Sequence, residues 1–173
     1  VTSAWEAGEG GPAGRVYQLT AAGRGWLGSG AAMLEGYRSA IAEHGLDTSP
    51  DLICLPSESP AEAAAEMMKR LAAPNAPTAV FSTNVPCTMA LVMALHQTGH
   101  TNVAVVGFGD FPMAAALSPA VTVVDQDPPG LGRIAVERLL KRIGDPEAEV
   151  RRRTVLPVGL IPRGSGELPP STA

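Results

Sequence analysis

The sequence predicts an α/β fold: a parallel sheet of five to six strands with helices on both faces. Three observations carry this. Short apolar runs alternate four times with longer helical patterns, the signature of βαβ units with right-handed crossovers. The run Asn102–Gly107 (NVAVVG) is continuously apolar, as strands buried on both faces are. The 173 residues, 45% apolar and 17% charged, suffice for the core of one domain or one lobe of a larger protein.

Val1–Gly14 holds four glycines and one proline with little periodicity, and reads as a loop or an arm ordered by contact. Val16–Thr20 is a short strand. Ala31–His44 is a helix, with Met33, Tyr37 and Ile41 on one face and Gly45 placed to end it. Asp51–Leu55 is the next strand. Ser59-Pro-Ala-Glu62 is a capping box that opens a helix to about Ala73. Thr78–Ser82 is a strand, and Pro86–Thr98 a helix ended by Gly99. Asn102–Gly107 is the expected central strand, and Ala120–Asp125 follows it.

Pro129–Ile143 is a helix with Val136, Leu139, Leu140 and Ile143 on one face. Glu137 and Lys141 form a favourable pair on the other. Arg153–Ile161 returns as a strand that Pro157 confines to a sheet edge. The Gly/Pro/Ser composition of Arg163–Ala173 predicts a fraying tail.

Composition excludes several classes. A formal charge of −4 argues against holding nucleic acid by a basic surface of this chain. Acidic residues dominate before residue 130 and basic ones after it. Two cysteines, Cys54 and Cys87, cannot make a disulfide framework, and both read as small buried side chains. No apolar run approaches the roughly 20 residues that span a bilayer, and the start shows no signal-peptide pattern. The expected place is the cytoplasm.

Catalytic and metal signatures are missing. Val106–Pro112 (VGFGDFP) begins like a dinucleotide loop, but Pro112 stands where the third glycine belongs. His96 and His100 are four apart, yet Gly99 interrupts their helix and no third ligand is near in sequence. Arg151–Arg153 reads as a solvated loop. Nothing assembles an acid, a base and a nucleophile, so no enzyme, no cofactor and no metal is expected.

Several stretches, in order, point elsewhere. Pro77-Thr-Ala-Val-Phe-Ser-Thr-Asn84 resembles the "PTAVFAAND" strand and turn of lactose-repressor-type (LacI/GalR) transcriptional regulators. Met89–Leu95 is similar to the helix that follows in that family. Val103–Pro112 resembles "VAVVGFDDxP", and Leu117–Val124 resembles "LSPPLTTV". Gln126 with Leu131–Leu140 is similar to "QPxxxLGRxAVELLL", and Leu156–Ser165 to the closing "LPxELVxRxS". Leu34–Arg38 resembles the earlier "RxxGYRxAL". The likeness runs from about residue 15 to residue 165.

That resemblance implies a periplasmic-binding-protein-like (type I) fold of two similar α/β lobes enclosing a small effector, with a separate helix-turn-helix for operator DNA. Residues 15–165 correspond to the C-terminal lobe, and 131–143 to a helix that crosses to the first lobe. Residues 1–14 are a loop or a first-lobe remnant, and 166–173 a flexible tail. The effector positions are Ser29, Asn84, Asp110 and Gln126. Asn84 also reads simply as a helix N-cap. The pattern departs at Val85 and Gly109, where the family places Asp, at Met33, where it places Arg, and at Glu58, where it often places an aromatic. An ordinary hexose should therefore bind poorly, and a less polar effector or none is expected.

The expected function is the effector-sensing and dimerisation part of a LacI-type regulator. The alternatives are a sugar-binding component of a transporter with the same fold, or an interaction module without a ligand. The resemblance also implies a homodimer through the Pro86–Gln97 helix and the Met113–Val123 segment. It implies no membrane partner, and operator DNA only through a domain outside this chain. The apolar face at 136–143 should be covered, by a neighbouring chain or by folding back on its own sheet.

Overall fold

The computed structural model describes residues 16–19, 27–54, 59–145, 147, 149 and 154–169. The readings for residues 1–14, Glu58 and 151–153 lie outside these.

Six strands form one sheet: β1 (Val16–Leu19), β2 (Ile53–Cys54), β3 (Ala79–Ser82), β4 (Ala104–Phe108), β5 (Thr122–Asp125) and β6 (Gly159–Ile161). Their spatial order is β2-β1-β3-β4-β5-β6. β1 to β5 pair in parallel, with Ala79 opposite both Val16 and Ala104, and Val106 opposite Thr122. Four helices connect them: α1 (Leu27–Glu43), α2 (Pro60–Leu71), α3 (Val85–Thr98) and α4 (Pro128–Gly144). Right-handed crossovers put α1 on one face of the sheet and α2 and α3 on the other. There α2 packs along α3.

Local chemistry sets the helix ends. Ser59 caps α2, its hydroxyl accepting from Glu62 N at 3.2 Å, with Pro60 in the first turn. α3 ends at Gly99, whose φ of 75° lets His100 N return to the Leu95 carbonyl. The core joins Met67 of α2 and Cys87 and Leu91 of α3 to Val80 and Val105 of the sheet, with Val121 and Val123 closing one end. β4 is an interior strand, and both cysteines are buried thiols.

Several expectations are corrected. The sixth strand is antiparallel to β5. A parallel return needs a crossover helix packed on the sheet. α4 has no such packing, so the returning segment pairs in the other direction. α1 begins at Leu27, four residues before the expected start, so Gly28-Ser-Gly30 lies in its first turn. A first turn tolerates small residues because its N–H groups have no intrahelical partners. The strand expected at 51–55 does not begin until Ile53, because Pro50–Leu52 form a 3-10 turn with Leu52 N on the Ser49 carbonyl.

Glu137 pairs with Arg133 at 3.4 Å instead of Lys141, which donates to the Glu149 carbonyl. The residues after Arg163 do not fray at once. Ser165 is 3% exposed, and its hydroxyl accepts from Thr122 N at 2.9 Å and donates to the Val105 carbonyl at 2.6 Å. Glu167 accepts from Thr122 Oγ1 and from Gly164 N, both at 2.8 Å. Gly166 is a position where only glycine fits, since a Cβ would lie 2.9 Å from Val106 Cγ2 and 3.0 Å from Thr122 Cγ2.

α4 does not fold back. Of its residues only Gly130 is buried, and Leu131, Val136, Leu139, Leu140 and Ile143 are all exposed. On α3, Cys87, Thr88, Leu91, Val92 and Leu95 face inward, while Met89 and Met93 are exposed. So is Met113 in the segment after β4.

Candidate functional site

The chain runs from β1 outward to β2, then back across to β3. In open α/β sheets this reversal makes a crevice at the carboxyl ends of the strands, where ligands bind. Ser29, Asn84, Asp110 and Gln126 all belong to that edge. Ser29 is in the first turn of α1. Asn84 follows β3 beside the reversal, Asp110 follows β4, and Gln126 follows β5.

Asn84 is the N-cap of α3, with extended backbone (φ −158°) and its Oδ1 accepting from Cys87 N at 2.9 Å. Beneath it, the buried Thr88 hydroxyl lies 2.9 Å from both Ser82 Oγ and the Asn84 carbonyl. This network fixes the turn that presents Asn84 and Val85. Thr88 also sets the spacing to β4, because a Cβ on Gly107 would lie 3.0 Å from Thr88 Cγ2.

Asp110 is braced from the far end of the chain. Arg163 Nη1 and Nη2 reach its two carboxylate oxygens at 2.7 Å each, and Phe111 N donates to Oδ1 at 2.8 Å. The Arg163 hydrogen bonds, with help from the Phe111 N–H, hold the carboxyl below its ordinary range. The same pairing raises the guanidinium. A bidentate contact is directional, so it also fixes where β6 ends. Sequence reasoning missed Arg163 as the partner of Asp110. Its signal was the closing Arg163-Gly-Ser165, whose basic residue follows an edge strand.

Gly109, Val85 and Gln126 meet at the centre of the edge. Gly109 has φ +92° and donates to the Val124 carbonyl at 2.8 Å. A Cβ there would stand 3.0 Å from Val85 Cγ2 and 3.5 Å from Gln126 Nε2. The two departures from the family pattern, at residues 85 and 109, are therefore one spot in space. The Gln126 side chain is half-buried and has no hydrogen-bond partner among the described residues.

Beyond β5, Asp127 takes a left-handed backbone (φ 51°) and caps α4, accepting from Gly130 N at 3.1 Å. Asp125 Oδ1 accepts from Asp127 N at 3.3 Å. His96 and His100 lie at the opposite end of α3. Among the described residues no three His, Cys, Asp or Glu side chains converge as a metal site. Nor is any described helix long and apolar enough to cross a membrane.

Comparison with known proteins agrees with this geometry. The periplasmic binding protein-like domain matches residues 15–166. The ribose operon repressor of Escherichia coli K12 is 31% identical over 136 residues, covering 76% of this chain and 41% of that repressor. The transcriptional repressor PurR of Aliivibrio salmonicida is 30% identical over 121 residues, covering 68% of this chain and 36% of PurR. The chain thus spans about two fifths of the length of these two relatives. A solved LacI-family regulator of Sanguibacter keddieii superposes with a TM-score of 0.75 at 28% identity, covering 88% of this chain and 58% of that one.

Proposed function

Because the chain belongs to the periplasmic binding protein-like domain family and is homologous to LacI-family repressors, we propose that it senses a small effector for a transcriptional regulator. The observation that carries this is the gathering of Ser29, Asn84, Asp110 and Gln126 at the carboxyl edge beside the strand-order reversal. Gln126 and Asn84 face the effector, Ser29 flanks it, and Asp110 positions the edge through Arg163. The protein is not an enzyme, and its place is the cytoplasm, where operator DNA is.

DNA contact belongs to a separate N-terminal domain. This chain's charge of −4 supports that division, because phosphate contacts need a basic surface. Two copies associate through α3 and the Met113–Val123 segment. The exposed Met89, Met93 and Met113 support that surface, since α3 otherwise turns its apolar residues inward.

The test is fluorescence anisotropy on the promoter DNA of its own gene. The complete gene product should bind, and the 173-residue chain alone should not. Equal binding by the chain alone would show that the division is wrong.

A further inference from the structure

Deepening the effector reading and resting on it, we infer that the ligand of this edge is a small neutral molecule that lays an apolar face on Val85 and pairs with the Gln126 amide. Three observations lead there. First, the carboxylate beside Gly109 is engaged inside the protein, because Asp110 gives both oxygens to Arg163. Asp125 and Asp127 each give one oxygen to a backbone N–H, of Asp127 and of Gly130. Asn84 Oδ1 is likewise committed to Cys87 N. A polyol needs an acceptor or donor for each hydroxyl it buries, and the groups next to Gly109 offer few.

Second, the middle of the edge is apolar. Val85 Cγ2 occupies the space in front of Gly109, so no side chain fits at 109 without displacing it. The positive φ of Gly109 also disfavours any side chain there. Half-buried Val85 makes the spot an apolar seat.

Third, one polar group there is unspent. The Gln126 amide stands beside that seat with no hydrogen-bond partner among the described residues. A primary amide offers a donor and an acceptor side by side, which suits one edge of a planar heterocycle or amide. Anions are disfavoured, because Asp110, Asp125 and Asp127 outnumber Arg163 around the seat.

The experiment is NMR titration of the complete gene product, following the Val85 methyls and the Gln126 side-chain amide. The probes are nicotinamide, benzamide and 2-pyridone on one side, and D-ribose, D-glucose and D-galactose on the other. At least one of the first three should move both signals saturably, with Kd at about 1 mM or tighter. Affinity should fall about tenfold or more in both Val85→Asp and Gln126→Ala. The sugars should leave both signals in place. A sugar that moves both with Kd below about 1 mM overturns the ligand class while leaving the effector site standing. Signals unmoved by all six probes overturn both.

Discussion

Ser165→Ala tests how the end of the chain is locked into the sheet. The Ser165 hydroxyl stands between β4 and β5, relaying the Thr122 N–H at 2.9 Å to the Val105 carbonyl at 2.6 Å. Thr122 is fully buried and Ser165 is 3% exposed, so water does not readily replace the hydroxyl. The variant loses a net hydrogen bond of about 1 kcal/mol and leaves a buried N–H, which costs about 1–3 kcal/mol more. The sum is about 2–4 kcal/mol. For a domain of this size each kcal/mol moves Tm by about 2–4 °C, so the melting point should fall by roughly 4–16 °C. Differential scanning calorimetry measures it, with Ser39→Ala as control. Ser39 bonds only to Glu43 on the exposed side of α1, and its loss should shift Tm by less than about 2 °C. A Ser165→Ala melt within about 2 °C of the unaltered chain would refute the lock.

Three further outcomes follow from the same geometry. Asp110→Asn should lower stability near neutral pH. Because the Asp110 pKa is depressed, the stabilisation is full above the ordinary aspartate range and fades as pH falls through the lowered value. The two melting curves should therefore converge in acid, and a gap that widens in acid would be wrong in sign. Leu140→Asp should leave the melting of this chain within about 0.5 kcal/mol, since Leu140 is 60% exposed. On the proposal that α4 covers its apolar face against the rest of the complete gene product, the same change there should lower Tm; equal effects in both would contradict this. Met93→Asp, on the 59% exposed Met93 of α3, should turn a dimer into a monomer in sedimentation velocity. An unchanged dimer would move the interface elsewhere.

Much of the fold was legible because period and caps agreed. The apolar run around Val103–Val106 could only be an interior strand, and Ser59-Pro-Ala-Glu62 could only open a helix. The antiparallel β6 was not legible. Direction depends on whether α4 packs on the sheet, and its apolar face gives no sign of that. The start of α1 at Leu27 was hidden because Gly28-Ser-Gly30 has a turn composition that a first helical turn also accepts. At the site, the family resemblance named Asn84, Asp110 and Gln126, and each stands just past the end of a strand. The Asp110–Arg163 pair joins residues 53 apart, and no local pattern reports a contact of that span. The docking of Ser165 and Glu167 was hidden for the same reason, behind a composition that resembles a free tail.

The central claim is that the carboxyl edge around Gln126 turns a small molecule into a change in DNA binding. The direct measurement is operator affinity of the complete gene product, titrated against a panel of neutral metabolites, with Gln126→Ala in parallel. One compound should change the affinity about tenfold or more, the usual scale of such coupling. Gln126→Ala should bind the operator equally well without the compound and lose most of that response. Either a response of full size in Gln126→Ala, or operator affinity untouched by every compound, would contradict the account.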